Sequence, residues 1–176
     1  MSMKSVPERK IEQAEERQLF YTVESMERVK FTISDAAFRQ GKTFVALLEN
    51  LDQVLFAENP IYLETISTRT LQLVVEWIEH HKNDGPAYML ETRQYRNLVI
   101  PEWDDMFLKK LNNDEQCDVL CAANYLDIQR LMDYGCKAIA NMARGKSVEE
   151  LKIMFGYKSE EEIAEEALYE PGPSSR

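Results

Sequence analysis

The sequence predicts an α+β fold whose second half is entirely helical. Two β-branched and aromatic runs, Leu19-Phe20-Tyr21-Thr22-Val23 and Val29-Lys30-Phe31-Thr32-Ile33, read as strands. Helical stripes and one more short strand-like run follow before residue 85. From Pro101 onward each periodic segment is helical, with capping signatures ahead of the apolar stripes and glycines behind them. Strands with interspersed helices and then a run of helices make an α+β pattern with a helical annex. At 176 residues the chain fits one domain, or one domain with an extension.

Residues 1–18 mix charges of both signs around few apolar anchors and are expected to form a mobile leader. In the second strand the alternation puts Val29, Phe31 and Ile33 on one face, as a half-buried strand requires. The two strands pair as a hairpin. Their connection, Glu24-Ser25-Met26-Glu27-Arg28, lacks the Gly or Asn of a tight turn, so a longer loop is expected. Ser34 or Asp35 can cap the helix that follows, whose stripe is Phe44, Leu47, Leu48 and Leu51. Gly41 within it predicts an irregular or late start. Pro60-Ile61-Tyr62-Leu63 is a short strand with proline where a strand tolerates it. Leu71, Val74, Val75 and Ile78 then mark a helix at i, i+3, i+4 and i+7. His80, His81 and Lys82 fall in its last turn, where cationic side chains suit the dipole. Asn83-Asp84-Gly85-Pro86 stops it, and a long loop runs over about 84–99.

Pro101 suits a first helical turn, with Trp103, Phe107, Leu108 and Leu111 as its apolar face. Asn113 with Gln116 reads as a capping box opening a helix through Val119, Leu120 and Ala123. Ser147 with Glu150 repeats the signature before Leu151, Met154 and Phe155, and Ser159 with Glu162 repeats it again. Gly145 and Gly156 sit where helix C-terminal glycines belong. The run Ser159 to Glu166 is acidic without balancing base, and its isolated helicity is marginal at this length. Residues 170–176 read as a flexible tail.

Composition narrows the function. The 44% apolar content supplies a sizeable core. Thirty-one Asp and Glu against 21 Lys and Arg leave a net charge of −10, which argues against nucleic acid and against an anionic membrane surface. The first residues hold no apolar signal-peptide core, and the most apolar stretch, Leu71 to Ile78, is too short to span a bilayer. Cys117, Cys121 and Cys136 form no disulfide framework, and their odd number fits a reducing compartment, the cytoplasm or nucleus.

Catalytic signals are thin. His80 and His81 are adjacent, with no spacing to a nucleophile, and read as a solvated helix end. Cys117 and Cys121 share a helix face, yet no second pair completes a four-ligand zinc site, so they read as small buried hydrophobes. Neither a phosphate-cradling loop nor a nucleophile elbow is present. No enzyme, metal or cofactor is expected. The informative helix spans 128–143. Ile128, Leu131, Gly135, Ala138 and Met142 form one stripe; Met132, Cys136, Ile139 and Ala143 form its neighbour. Such a helix is covered on two sides, by a large core or by a partner, and few residues are left to supply a second layer. Met132, Met142 and Met154 add adaptable surface.

Several words in this chain are similar to one family. Trp77 with His80-His81-Lys82 comes first, then Ile100-Pro101-Glu102-Trp103-Asp104 and Phe107-Leu108-Lys109. Ala122-Ala123-Asn124-Tyr125-Leu126-Asp127-Ile128 follows, then Cys136-Lys137, Ala140-Asn141-Met142, Gly145-Lys146-Ser147, Glu149-Glu150 and Phe155. Together they resemble the S-phase-kinase-associated adaptors of SCF ubiquitin ligases, from about residue 19 to 166. The resemblance implies a BTB/POZ-type domain over 19–128 and a C-terminal helical, F-box-binding extension over 129–169. It implies a non-catalytic adaptor that joins a cullin to F-box substrate receptors, with room for a weak homodimer through the BTB/POZ part. Asn124 and Tyr125 fall on the family's cullin-contact word; Met132, Cys136, Ile139, Ala143, Leu151, Phe155 and Tyr157 fall on its F-box-facing helices. The chain departs from the family in its loop from Pro86 to Arg96, usually very acidic, in a last helix without the closing basic-Asn-Trp segment, and at Ala143, where a larger aliphatic is usual. An F-box chaperone or competitor detached from any cullin, or a self-association module, are the alternatives.

Overall fold

The computed structural model describes residues 19–50, 59–85 and 97–157. The expectations for the leader, for Leu51, for most of the long loop and for everything from Ser159 on lie outside the described residues. Strands β1 (Phe20–Glu24) and β2 (Lys30–Ser34) pair antiparallel, Phe20 opposite Ser34 and Glu24 opposite Lys30. The looser connection is present. Ser25 N–H donates to the Val29 carbonyl at 3.0 Å, the Ser25 Oγ accepts from Val29 N–H, and Arg28 adopts φ 66°. Strand β3 (Ile61–Tyr62) joins β1 in parallel, giving a three-stranded sheet of order β2-β1-β3. Tyr21, Val23 and Ile33 are buried on its inner face, while Val29 at the hairpin tip is exposed.

Among the described residues seven helices accompany this sheet. The Gly41 break divides the first helical stripe into α1 (Asp35–Phe38) and α2 (Lys42–Asn50). Ser34 starts α1, but its side chain makes no cap: Glu79 accepts from both its N–H (2.7 Å) and its hydroxyl (2.9 Å), fastening the end of β2 to the next helix. That helix, α3 (Thr68–His80), buries Leu71, Leu73, Val74, Trp77 and Ile78 and is capped by Ser67. The annex comprises α4 (Glu102–Lys109), α5 (Asn113–Tyr125), α6 (Gln129–Ala143) and α7 (Val148–Met154). One continuous core runs from Val23 and Ile33 through Trp77 and Phe107 to Val119, Ile128 and Leu131. No helix among the described residues is long and apolar enough to cross a membrane.

The structure corrects three local readings. The cap of α5 is Asn112 with Glu115, one residue ahead of the expected Asn113–Gln116 pair. Both asparagines precede an acid or amide by three residues; Gln116 is instead buried and donates to the Leu108 carbonyl at 2.9 Å. Cys117 and Cys121 are exposed, not buried, because the inward face of α5 is taken by Val119, Ala122 and Ala123. His81 is no solvated helix end: it is 6% exposed, stacks on Trp77 and contacts Asp84 and Asp104, whereas His80 is exposed and stacks on Trp103.

Gly41 has a tertiary reason as well as a local one. A Cβ there would lie 2.9 Å from the Leu126 carbonyl oxygen, because α2 starts against the corner between α5 and α6. The first free donors of α2 are satisfied by that corner: Lys42 N–H reaches the Asp127 carbonyl and Thr43 N–H the Leu126 carbonyl, both at 3.3 Å. Gly41→Ala is therefore expected to destabilise the chain by about 1–3 kcal/mol through overpacking, read from the denaturation midpoint in urea.

Candidate functional site: the outer faces of the last helices

Helix α6 begins inside the core and ends outside it. Ile128 and Leu131 are buried, and Gly135 is where α6 crosses α5, since a Cβ at that position would overlap the Leu120 side chain. Past Gly135 burial decays: Ala138, Ile139, Met142 and Ala143 are half-buried, and Cys136 is exposed. Among the sequence-derived residues, Met132 is half-buried and packs against the core. Met132, Cys136, Ile139 and Ala143 recur at helical spacing and share one face of α6. Chain-internal packing thus covers the first stripe as far as Gly135 and leaves its remainder, together with the second stripe, incompletely covered. Burial, and then the charge of Asp133, push the Cys136 thiol up, so it is a neutral, apolar surface element rather than a reactive thiolate.

The path leaves α6 through Gly145, at φ 79°, and re-enters a helix at once. Ser147 caps α7: its Oγ accepts from Glu150 N–H at 3.2 Å, and Glu150 accepts from Ser147 N–H at 2.7 Å. Those same bonds hold the Glu150 carboxyl below its ordinary range. Helix α7 ends in a glycine cap, with Gly156 at φ 68° and Tyr157 N–H donating to the Lys152 carbonyl at 2.8 Å. It contains no fully buried residue. Leu151 is half-buried and Phe155, one turn on, is 40% exposed; Tyr157 is 71% and Ile153 80% exposed. The sequence reading did not single out Ile153, whose place on a short helix with no covering layer gives no periodic signal. Asn113, displaced from its expected capping role, donates from Nδ2 to the Met154 carbonyl at 2.8 Å and ties α7 to the start of α5.

Asn124 and Tyr125 lie elsewhere, in the last turn of α5. Both are exposed, Tyr125 by 49%, and the Tyr125 carbonyl accepts from the Thr43 hydroxyl at 3.0 Å. Beside Tyr125 is a depression of about 350 Å³ whose lining includes Met26, Ile66, Cys121 and Ala122. Two surfaces therefore present apolar groups, one beside Tyr125 and one along α6 and α7. No group of three or more His, Cys, Asp or Glu among the described residues is arranged to hold a metal.

Residues 20–83 match the tetramerisation domain of the Skp1 family, and residues 129–170 match that family's dimerisation domain. A protein of Talaromyces stipitatus named E3 ubiquitin ligase complex SCF subunit sconC is 34% identical over 140 residues, covering 79% of this chain and 85% of its own length. The chain belongs to the Skp1 family. Suppressor of kinetochore protein 1 of Schizosaccharomyces pombe is likewise 34% identical, over 134 residues, 74% of this chain and 81% of its own length. The Skp1-family POZ fold thus comprises the sheet with α1–α3, and the C-terminal helical domain opens at Gln129, the first residue of α6. The α+β class and the helical annex read from the pattern of elements agree with this assignment.

Since α7 rests on its caps and a few contacts, Ser147→Ala is expected to cost it about 0.5–2 kcal/mol. Hydrogen exchange of the amides at 150–154 should accelerate correspondingly, with the amides of α3 unchanged.

Proposed function

We propose that this Skp1-family chain is the adaptor of an SCF-type ubiquitin ligase, bridging a cullin scaffold to F-box substrate receptors without performing chemistry itself. The observation that carries this reading is the second stripe of α6, left half-covered by the chain's own core and followed by exposed apolar groups on α7. An F-box is the occupant that the family membership supports, with Met132, Cys136, Ile139, Ala143, Leu151, Phe155 and Tyr157 as its contacts. Asn124 and Tyr125 form part of the cullin face in this reading, which their exposure in the last turn of α5 supports. Ala143 in place of a larger aliphatic makes a shallower ridge, which favours a restricted set of receptors. Three exposed free thiols and a net charge of −10 support a reducing cytoplasmic or nuclear setting, with neither nucleic acid nor membrane as partner.

Pull-down of the tagged chain should recover a cullin together with F-box proteins; recovery of F-box proteins alone would convert the reading to that of a chaperone or competitor. Ile139→Asp places an unpaired carboxylate in the buried interface. It should weaken F-box binding by about 2 kcal/mol or more, roughly thirtyfold in Kd, while cullin binding stays intact. Replacing Asn124 and Tyr125 with alanine should have the converse effect. Equal loss of both partners by a folded Ile139→Asp protein would refute the assignment of the stripe.

A further inference from the structure

The imidazole of His81 stands between two carboxyl groups. Nδ1 lies 2.7 Å from Asp84 Oδ2, in the turn that ends α3, and Nε2 lies 3.1 Å from Asp104 Oδ1, in the first turn of α4. Trp77 donates to the same Asp104 oxygen from Nε1 at 2.7 Å, and Asp104 Oδ2 has no hydrogen-bond partner. On the other side, Asp84 Oδ2 accepts from Arg130 of α6 at 2.9 Å, and the same guanidinium donates to the Gly85 carbonyl at 2.8 Å. One ring thus touches the end of the POZ part, the first annex helix and, through one carboxylate, the first turn of the partner-facing helix.

With Asp84 and Asp104 both as carboxylates, both contacts are hydrogen bonds only if both ring nitrogens carry protons. A neutral imidazole has one N–H, so one lone pair would face a carboxylate oxygen at close range. The surrounding charges agree. The described groups around the ring are His80 from its own helix, Asp84 from the turn, Asp104 from α4, and Arg130 and Tyr134 from α6; Lys82 is engaged with Glu79 at 3.3 Å. Two carboxylates and one guanidinium leave a single negative charge, which an imidazolium cancels. The Trp77 ring, centred 4.0 Å from that of His81 and inclined to it by 28°, further favours a cation.

From this geometry we infer that His81 is a positioning residue: as an imidazolium it fixes the turn after α3 to α4, and through Asp84 and Arg130 sets the placement of α6 and its partner-facing stripe. The consequence for binding rests on the adaptor reading above; the consequence for α6 does not. Burial acts to lower the imidazole pKa, and the bonds to Asp104 and Asp84 outweigh it, so the value is raised above the ordinary 6.5. A group with a raised folded pKa stabilises fully below its unfolded pKa and loses that contribution as pH rises through the folded one. Partner affinity therefore falls on the alkaline side, not the acid side.

The test uses the full chain carrying His80→Gln, so that His81 is the remaining histidine, with the ring nitrogens and the amides of 129–143 followed by NMR. Both ring nitrogens are expected to be protonated at the acid end of the titration and to lose a proton with a midpoint above 6.5, with α6 amide signals shifting at the same midpoint. A ring midpoint at or below 6.5, or ring titration without a response from α6, would overturn the inference. An F-box domain recovered in the pull-down should bind at least about fivefold more weakly at the alkaline end of the titration, the lower end of coupling between sites. Arg130→Gln, which cuts the link to α6 but leaves the buried ring in place, should bind more weakly and show no such pH dependence. Identical pH slopes in the two proteins would sink the positioning role. Failure to bind any F-box at any pH, with α6 still following the ring, would instead refute the adaptor reading and uphold the positioning role.

Discussion

Asp104 is the constraint on which the annex depends. Apolar packing is non-directional, so the faces of α3 and α4 could slide or rotate against each other with little loss of buried area. A buried carboxyl admits no such freedom, because each unmet hydrogen bond in the interior costs on the order of 1–3 kcal/mol, and more for a charged group. With Trp77 and His81 both addressing its Oδ1, Asp104 gives the α3–α4 crossing a single register. Gly41 imposes a second close approach at the other end, where α2 begins on the α5–α6 corner. Between these two fixed points the remaining side chains need only fill space.

The core stops part-way along α6, and the division has a physical origin. Up to Gly135 the helix lies on α5 and buries its inward residues; beyond it no other described layer remains, so apolar side chains that continue at the same spacing stay half-exposed. A globular chain tolerates scattered exposed hydrophobics, but a periodic row that continues from a core stripe signals a missing layer. Helix α7 extends that surface, held by its own caps and by Asn113. The exposed Asn124 and Tyr125 at the end of α5 and the half-covered face of α6 with α7 thus form two distinct surfaces of the annex.

Local signals in the sequence carried further than distant ones. The Ser147–Glu150 box, the terminal glycines and the Gly41 break each depend on neighbours within a turn, and all three are present. The α5 start was misplaced by one residue because Asn112 and Asn113 satisfy the same local rule, and only the buried bonds of Gln116 separate them. The burial of His81 was invisible, since its partner Asp104 lies beyond a segment with no periodic pattern. Cys117 and Cys121 were assigned to the core because spacing shows that two residues share a face without showing which face is inward. The half-covered stripe is legible as an excess of apolar positions; the occupant proposed for it rests on the family words, which periodicity does not contain.

Helix α7 contains no buried residue, and this has a consequence for how such a chain changes over time. Substitutions at core positions are filtered twice, for folding and for function, and most of them are lost to the first filter. On α7 the first filter is nearly absent, because replacing Ile153 or Lys152 removes little that the fold depends on. On the proposed adaptor reading, drift there alters which partners are accepted while leaving the scaffold as stable as before. A duplicated copy of such a gene could acquire a new clientele by changing a handful of codons at its last short helix.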